Sequence, residues 1–186
     1  MPDKSNIPAQ PASRLGRQIA QASSALDSIG VQFALIGGLA LASHQVIRAT
    51  QDVDFLVEAE KAETIDAELL RLGYRCTHRG PDAANYARSD EGLDLLYASR
   101  PIARRLLANA SELQTALGRI RVVSAEGLIG FKLQAFVNEP RRTQDLEDIR
   151  MLLGAHVASM DMEEVREYFR LFDRESLLDE LLRKTA

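Results

Sequence analysis

Two aspartates, Asp52 and Asp54, lie on either side of a valine at the start of an apolar segment, and their types and spacing suit them to metal chemistry. Alternation along a β-strand predicts that both carboxylates lie on one face, with Val53 and Phe55 on the other. Two carboxylates this close raise each other's pKa unless a cation or water lies between them. The pair therefore predicts a site for a divalent metal ion, Mg²⁺ or Mn²⁺.

A Gly-Gly pair, Gly37-Gly38, ends the preceding apolar segment 33–36. The segment 39–47 is rich in Ala and Leu and contains no Pro, which predicts a helix that begins at the glycines. Backbone N–H groups at a helix start can bind phosphate, and the helix dipole favours an anion there. Glycine pairs also simply turn a strand into a helix, so the phosphate interpretation depends on the nearby acidic pair.

A third aspartate, Asp94, interrupts the apolar strand predicted over 93–97. A sheet that placed this strand beside Asp52 and Asp54 would gather three carboxylates on one face. Such a cluster can hold one or two Mg²⁺ ions, which prefer oxygen ligands and substrate phosphates. The alternative for Asp94 taken alone is a solvent-exposed aspartate at a strand end.

Hydrophobic periodicity predicts the elements that must position these residues. The predicted strands are 32–36, 52–57, 74–78, 85–88, 93–97 and 119–123, and the predicted helices are 13–29, 38–47, 61–72, 102–109, 125–137, 144–153, 161–171 and 174–184. This order predicts an α/β (α+β) fold with a small mixed sheet flanked by helices, followed by a C-terminal helical region. The predicted domains are a flexible tail over 1–12, an α/β core over 13–123 and a helical region over 124–186 that packs on the core.

Composition narrows the function classes. The chain has 186 residues, of which 46% are hydrophobic and 27% charged, as in an ordinary globular protein. A net charge of −4 argues against a surface devoted to nucleic acid, although a local basic groove remains compatible with it. We expect no membrane association, because no apolar stretch approaches the roughly 20 residues of a membrane span. The single cysteine, Cys76, fits a cytoplasmic protein without an internal disulfide.

Lys132 lies within the apolar side of its predicted helix, between Leu128 and Phe136. An unpaired buried ammonium is costly, so this lysine either extends its head to water or contacts a phosphate or carboxylate. Asp145 lies at the edge of the next helix's apolar side. It either stabilises the helix start, with Thr143 as the predicted N-cap, or belongs to the site and pairs with Lys132.

Two further charged residues, Arg48 and Asp148, each allow two interpretations. Arg48 lies six residues before Asp54, where it could reach phosphate, but a solvated arginine at a helix end is an equal alternative. We interpret Asp148 as a surface residue or as one that supports the site indirectly.

The segments 36–40 (IGGLA) and 48–57 (RATQDVDFLV) resemble the nucleotidyltransferase superfamily, with its DNA polymerase β-like fold. More narrowly, they are similar to the AbiEii-like nucleotidyltransferases of toxin–antitoxin systems. The resemblance covers about Phe33 to Leu153 and includes a third carboxylate on a later strand, Asp94, a helical Lys132 and the Asp-Leu-x-Asp segment 145–148. Many relatives have serine where this chain has Gly38, and the toxins usually have a basic residue where it has Gln144.

The resemblance implies a magnesium-dependent enzyme that transfers an NMP from an NTP to a hydroxyl of tRNA or protein, with toxin-like activity and an antitoxin protein as a potential partner. The candidate site residues are Asp52, Asp54 and Asp94 as metal ligands and catalytic residues, Lys132 and Asp145 as further catalytic residues, and Gly37, Gly38 and Arg48 as nucleotide-binding residues. Two alternatives are a catalytically degenerate binding module and a nucleotidyltransferase for small molecules of the aminoglycoside type.

Overall fold

All of the described strands lie before residue 123, with helices between them, and the regular elements described after Val122 are all helices. The computed structural model describes residues 13–115 and 118–185, so the predicted tail over 1–12 lies outside the described residues. The helices are α1 (Arg14–Ser28), α2 (Gly37–Ser43), α3 (Ala62–Arg71), α4 (Pro101–Ala108), α5 (Ala125–Asn138), α6 (Thr143–His156), α7 (Met162–Leu171) and α8 (Glu175–Thr185). The strands are β1 (Phe33–Ile36), β2 (Asp52–Val57), β3 (Arg75–Arg79), β4 (Ala83–Arg88), β5 (Glu91–Tyr97), β6 (Ser111–Thr115) and β7 (Gly118–Val122).

The strands form a seven-stranded mixed sheet in the order β3-β4-β5-β2-β1-β7-β6. The pairs β2–β5 and β1–β7 are parallel, whereas the other neighbours are antiparallel. Parallel neighbours need a crossover connection, and α3 with the hairpin β3–β4 supplies the one between β2 and β5. The predicted α/β fold with a mixed sheet flanked by helices is confirmed.

The register between β2 and β5 decides which aspartates meet. Asp54 lies opposite Asp94, and Asp52 lies opposite Gly92. Val53 and Phe55, which alternate with the aspartates, are fully buried. The predicted division of β2 into an apolar face and an acidic face is therefore confirmed.

Helix α2 is shorter than predicted. It ends at Ser43 rather than near residue 47, because Gln45 adopts a left-handed backbone conformation with φ of 62°. The following segment, 44–51, is a loop that leads into β2. Its residue Ile47 is 86% exposed, so the apolar character that predicted a longer helix does not reflect burial there.

The strand β6 is absent from the sequence prediction. Its residues 111–114 are exposed and its sequence, SELQT, contains one apolar residue, so it has no hydrophobic alternation to detect. It forms through antiparallel pairing with β7 at the edge of the sheet. This strand lies at the edge of the sheet, separated from β2 by β1 and β7.

Helices α5 and α6 pack against each other after β7. Ser124 caps α5 by accepting a hydrogen bond from the Gly127 N–H at 3.1 Å. The predicted Thr143 N-cap of α6 is wrong: Arg142 is the capping residue, and its side chain makes no capping hydrogen bond. Apolar residues from both sides of Ser124 join one hydrophobic core, and the predicted domain division stays a prediction.

Candidate active site

Three carboxylates lie on the acidic face of β2 and β5. Asp52 is exposed, whereas Asp54 and Asp94 are half-buried. The paired register brings Asp94 beside Asp54, as the sequence predicted for neighbouring strands. The three side chains therefore share one face near the beginning of both strands.

Two glycines leave the space that these carboxylates occupy. A Cβ added at Gly37 would come within 2.0 Å of Asp54 Oδ2, and one added at Gly92 within 2.1 Å of Asp52 Oδ1. Gly37 also has a φ of +64°, a conformation that other residues rarely adopt. The turn into α2 therefore lies directly against the Asp54 carboxylate. Gly92 was missed by the sequence analysis, although a glycine within a strand signals a close approach.

The pKa of Asp54 is raised to about 7, chiefly by burial and then by the nearby negative charges of Asp94 and Asp52. Lys132 and Arg48 partly oppose this effect by favouring the charged carboxylate. The pKa of Asp94 is also raised, chiefly by burial. Asn85 on β4 limits that rise, since its Nδ2 donates a hydrogen bond to Asp94 Oδ1 at 2.6 Å. Asn85 was not identified from the sequence, because its position opposite Asp94 depends on the β4–β5 register.

The chemistry of this donor set suits a hard divalent cation, because carboxylate oxygens are the ligands that Mg²⁺ and Mn²⁺ prefer. A carboxylate with a raised pKa beside a second carboxylate also gains from a positive charge. Within residues 13–115 and 118–185, no three His, Cys, Asp or Glu side chains are grouped closely enough to hold a metal ion as they stand. Binding of one ion by all three aspartates would therefore require their side chains to move towards it.

A second acidic group lies on α6. Lys132 on α5 contacts Asp145 Oδ1 and Asp148 Oδ2 through its Nζ, at 2.8 Å in each case. Asp145 Oδ2 also accepts a hydrogen bond from Arg142 Nε at 2.7 Å. Lys132 and both aspartates are buried. The structure thus shows the Lys132–Asp145 pair that the sequence suggested.

Asp148 is fully buried, so its interpretation as a surface residue is wrong. Its burial is possible because Lys132 and Arg48 supply positive charge and Gln144 Nε2 donates a hydrogen bond to Oδ1 at 3.1 Å. The Nε of Arg48 lies 3.1 Å from the same oxygen. Arg48 therefore lies in a loop and contacts α6, and its interpretation as a solvated arginine at a helix end is wrong.

Two histidines join the loop 44–51 to the rest of the molecule. His156 Nε2 on α6 lies 2.6 Å from the backbone oxygen of His44, and His44 Nε2 lies 2.8 Å from the backbone oxygen of Val123. Together with the Arg48–Asp148 pair, these contacts fix the loop that precedes Asp52 against the helices. No sequence pattern signals these contacts, because each joins residues far apart in the chain.

No protein-family model and no curated protein matches the sequence. Solved structures do match the fold. The antibiotic-resistance factor ANT(2'')-Ia has a TM-score of 0.66 and 20% identity, with 91% of this chain and 97% of that chain covered. An antigenic nucleotidyltransferase-like protein from Paracoccidioides brasiliensis has a TM-score of 0.59 and 17% identity, with 94% and 95% covered.

The lincosamide antibiotic adenylyltransferase LnuA, solved with lincomycin bound, has a TM-score of 0.56 and 15% identity, with 79% of this chain and 100% of that chain covered. At these identities the similarity concerns the fold. This chain therefore has the nucleotidyltransferase fold, as its sequence motifs implied. In the described residues, none of the helices is both long and apolar enough to cross a membrane.

Proposed function

We propose that this protein is a metal-dependent nucleotidyltransferase, which transfers an NMP from an NTP to a hydroxyl acceptor. The observation that carries the proposal is the pairing of Asp54 with Asp94 in adjacent parallel strands, with Asp52 on the same face and the Gly37 turn against Asp54. The nucleotidyltransferase fold adds support. In the reaction, the acceptor oxygen bonds to the α-phosphorus while the bond to the pyrophosphate leaving group breaks.

Asp52, Asp54 and Asp94 would hold Mg²⁺ or Mn²⁺. When bound, such an ion neutralises charge on the phosphates and assists loss of pyrophosphate. The carboxylate of Asp94 is oriented by Asn85 and would accept the proton of the attacking hydroxyl.

The cations near the carboxylates suit a triphosphate. Lys132 and Arg48 both influence Asp54 electrostatically, so positive charge lies on the side of the site nearest α6. Lys132 is held between Asp145 and Asp148. It would therefore contribute a fixed positive charge near the phosphates and would not move to contact them. Backbone N–H groups at Gly37 and Gly38 would contribute further donors to phosphate. Positioning and charge neutralisation would then supply most of the acceleration.

The acceptor class has two candidates. The resemblance of the motifs to AbiEii-like toxins favours tRNA or a protein hydroxyl, a toxin-like role with an antitoxin partner, and a cytoplasmic location. The fold similarity favours a small molecule: ANT(2'')-Ia in complex with adenylyl-2''-tobramycin has a TM-score of 0.63 and 20% identity, with 87% of this chain and 98% of that chain covered. A degenerate binding module is less favoured, because all three carboxylates are retained.

Transfer of label from α-labelled NTPs tests the proposal. Each of the four NTPs is supplied with Mg²⁺ to the protein and to its Asp54→Asn variant, with bulk tRNA, an extract of cell proteins, or a panel of aminoglycosides and lincosamides. We expect label in one acceptor class with the native protein and none with the variant. If the correctly folded native protein transfers label to none of the acceptors, the enzymatic proposal is contradicted. The catalytically degenerate binding module is then the favoured interpretation.

A further inference from the structure

A glutamine lies among the buried residues of α1, a helix that packs against β2 and α3. Gln18 is 1% exposed and comes one residue before Ile19, a buried apolar residue of the same helix. A buried amide lowers stability unless it is hydrogen-bonded, whereas an apolar side chain would add to the core at this position. The burial of Gln18 is therefore explained by the hydrogen bond that its side chain forms.

The Gln18 side chain holds the start of β5. Its Nε2 donates a hydrogen bond to the backbone oxygen of Gly92 at 2.8 Å, which joins residues that are 74 positions apart in the chain. Because Gln18 is buried, water competes little for this hydrogen bond. The bond therefore fixes the backbone of Gly92 relative to α1.

Gly92 is the residue against which the Asp52 carboxylate lies. The two residues are opposite each other in the register of β2 and β5, and a Cβ at position 92 would come within 2.1 Å of Asp52 Oδ1. Asp94 follows Gly92 by two residues and so lies on the same face of β5. A shift of the Gly92 backbone would therefore displace both carboxylates.

Asp52 and Asp94 differ in what else positions them. Asp94 accepts a hydrogen bond from Asn85 Nδ2 at 2.6 Å. Asp52 is exposed, and it forms no ion pair with a Lys or Arg of the described residues, so its position depends on the backbone beside it. Gln18 supports that backbone from the interior of the protein, whereas the Asp52 carboxylate lies at the surface.

We propose that Gln18 is a positioning residue of the carboxylate site, which fixes the Gly92 backbone so that only the side chains of Asp52 and Asp94 move when a divalent cation binds. This inference rests on the proposed nucleotidyl transfer, and it adds a residue that contacts neither the cation nor the substrate. Loss of a residue that supports metal ligands typically costs about 10-fold to 100-fold in metal affinity or activity.

The test uses Gln18→Met, which keeps the length of the side chain and removes the donor. Gln21→Met is the matched control on the exposed side of α1, where the Gln21 side chain accepts a hydrogen bond from Arg88 Nη2 at 2.7 Å. Ile19→Val reduces the packing of α1 without removing the hydrogen bond to Gly92, so it controls for a general loss of stability. Gln18→Leu repeats the test if Gln18→Met does not fold.

Two quantities are measured for each protein. Electron paramagnetic resonance measures free Mn²⁺ in the presence of a non-hydrolysable NTP analogue and gives the affinity for the metal without turnover. The Mg²⁺ concentration for half-maximal transfer of label is measured with the acceptor that the native protein labels. Thermal unfolding without metal gives the temperature below which all the variants are folded, and both measurements are made there.

We expect Gln18→Met to bind Mn²⁺ about 10-fold more weakly than the native protein and to need about 10-fold more Mg²⁺ for half-maximal transfer. Its rate at saturating Mg²⁺ should approach that of the native protein, because the carboxylates and the substrate contacts are unchanged. Gln21→Met and Ile19→Val should bind both metals as the native protein does.

Three results would overturn the role of Gln18 while nucleotidyl transfer stands. They are native metal affinity in Gln18→Met, an equal loss of affinity in Ile19→Val, and failure of both Gln18 variants to fold, which would make this glutamine a residue of general stability. If the native protein neither binds Mn²⁺ nor transfers label, the proposed function itself fails.

Discussion

The molecule holds two groups of aspartates that differ in how their charge is balanced. Asp52, Asp54 and Asp94 share a sheet face, and none of them forms an ion pair with a Lys or Arg in the described ranges. Asp145 and Asp148 on α6 are more deeply buried, yet each contacts two cations. The supply of cations, and not burial alone, thus distinguishes the two groups.

The aspartates of α6 have positive charge supplied by neighbouring side chains, whereas the aspartates of the sheet form no ion pair with a Lys or Arg in the described residues. A buried carboxylate without a cation is stabilised by a proton, which is why the pKa of Asp54 rises to about 7. Buried ion pairs instead keep their charges as long as every partner stays in place. The sheet group (Asp52, Asp54 and Asp94) can therefore bind a cation from solution. The helix group (Asp145 and Asp148) is a fixed structural support beside it.

The largest effect is expected from Asp54→Asn, which removes the charge at the centre of the sheet group. Transfer of labelled nucleotide should fall by at least about 100-fold, since this carboxylate would hold the metal ion that neutralises charge on the phosphates. The matched control is Asp90→Asn, an aspartate in the exposed turn before β5. Equal activity of the native protein and Asp54→Asn would contradict the assignment.

The same substitution should change how stability depends on pH. Because the folded pKa of Asp54 is raised, its contribution to the free energy of unfolding is complete below its unfolded value of 3.8 and is lost as pH rises through about 7. The native protein should therefore lose stability relative to Asp54→Asn over this range in the absence of metal. Urea denaturation at about pH 5 and about pH 8 measures the difference. A parallel pH dependence of the two proteins would count against a raised pKa.

Lys132→Met tests the helix group. It leaves Asp145 and Asp148 buried with less positive charge, so we expect a loss of about 3–5 kcal/mol in the free energy of unfolding. The control is Lys184→Met on α8, whose lysine forms an exposed pair with Glu180 and should contribute little to stability. Similar urea midpoints for the two variants would mean that the helix group is not a structural support.

Gly92→Ala separates activity from stability within the sheet group. The new Cβ would displace the Asp52 carboxylate, a flexible group at the protein surface, so activity should fall about 10-fold with little change in the unfolding midpoint. Gly80→Ala is the control, because its Cβ would meet no atom closer than 3.7 Å. Retained activity in Gly92→Ala would show that the position of Asp52 is not critical.

An effect no larger than that of Gly92→Ala is expected from Asn85→Ala, which removes the hydrogen bond that orients Asp94. Loss of such a supporting contact costs about 10-fold in activity at the low end of its usual range. Asn109→Ala, at the exposed end of α4, is the control. The ratio of kcat values for the two variants measures the effect. A ratio near one would show that Asn85 has no role in the reaction.

These two groups also show what the sequence could predict. Strand alternation placed Asp52 and Asp54 on one face, and helical periodicity placed Lys132 among apolar residues, because both patterns lie within one element. The helices after Ser124 were predicted for the same reason, since each has an apolar face of regular spacing.

Contacts between elements that are far apart in the sequence could not be predicted from it. The roles of Gly92 and Asn85 depend on the register of β5 with its two neighbours, which no local pattern encodes. The burial of Asp148 depends on Arg48, a hundred residues earlier in the sequence. Strand β6 has no apolar face, and its formation depends on pairing with β7.

Binding of Mn²⁺ tests most directly the claim that the sheet aspartates, and not the helix aspartates, take up a cation. Electron paramagnetic resonance measures free Mn²⁺ in the presence of a non-hydrolysable NTP analogue, for the native protein and for Asp54→Asn. We expect the native protein to bind Mn²⁺ and the variant to lose that binding at the same metal concentration. Equal binding by both proteins would contradict the account.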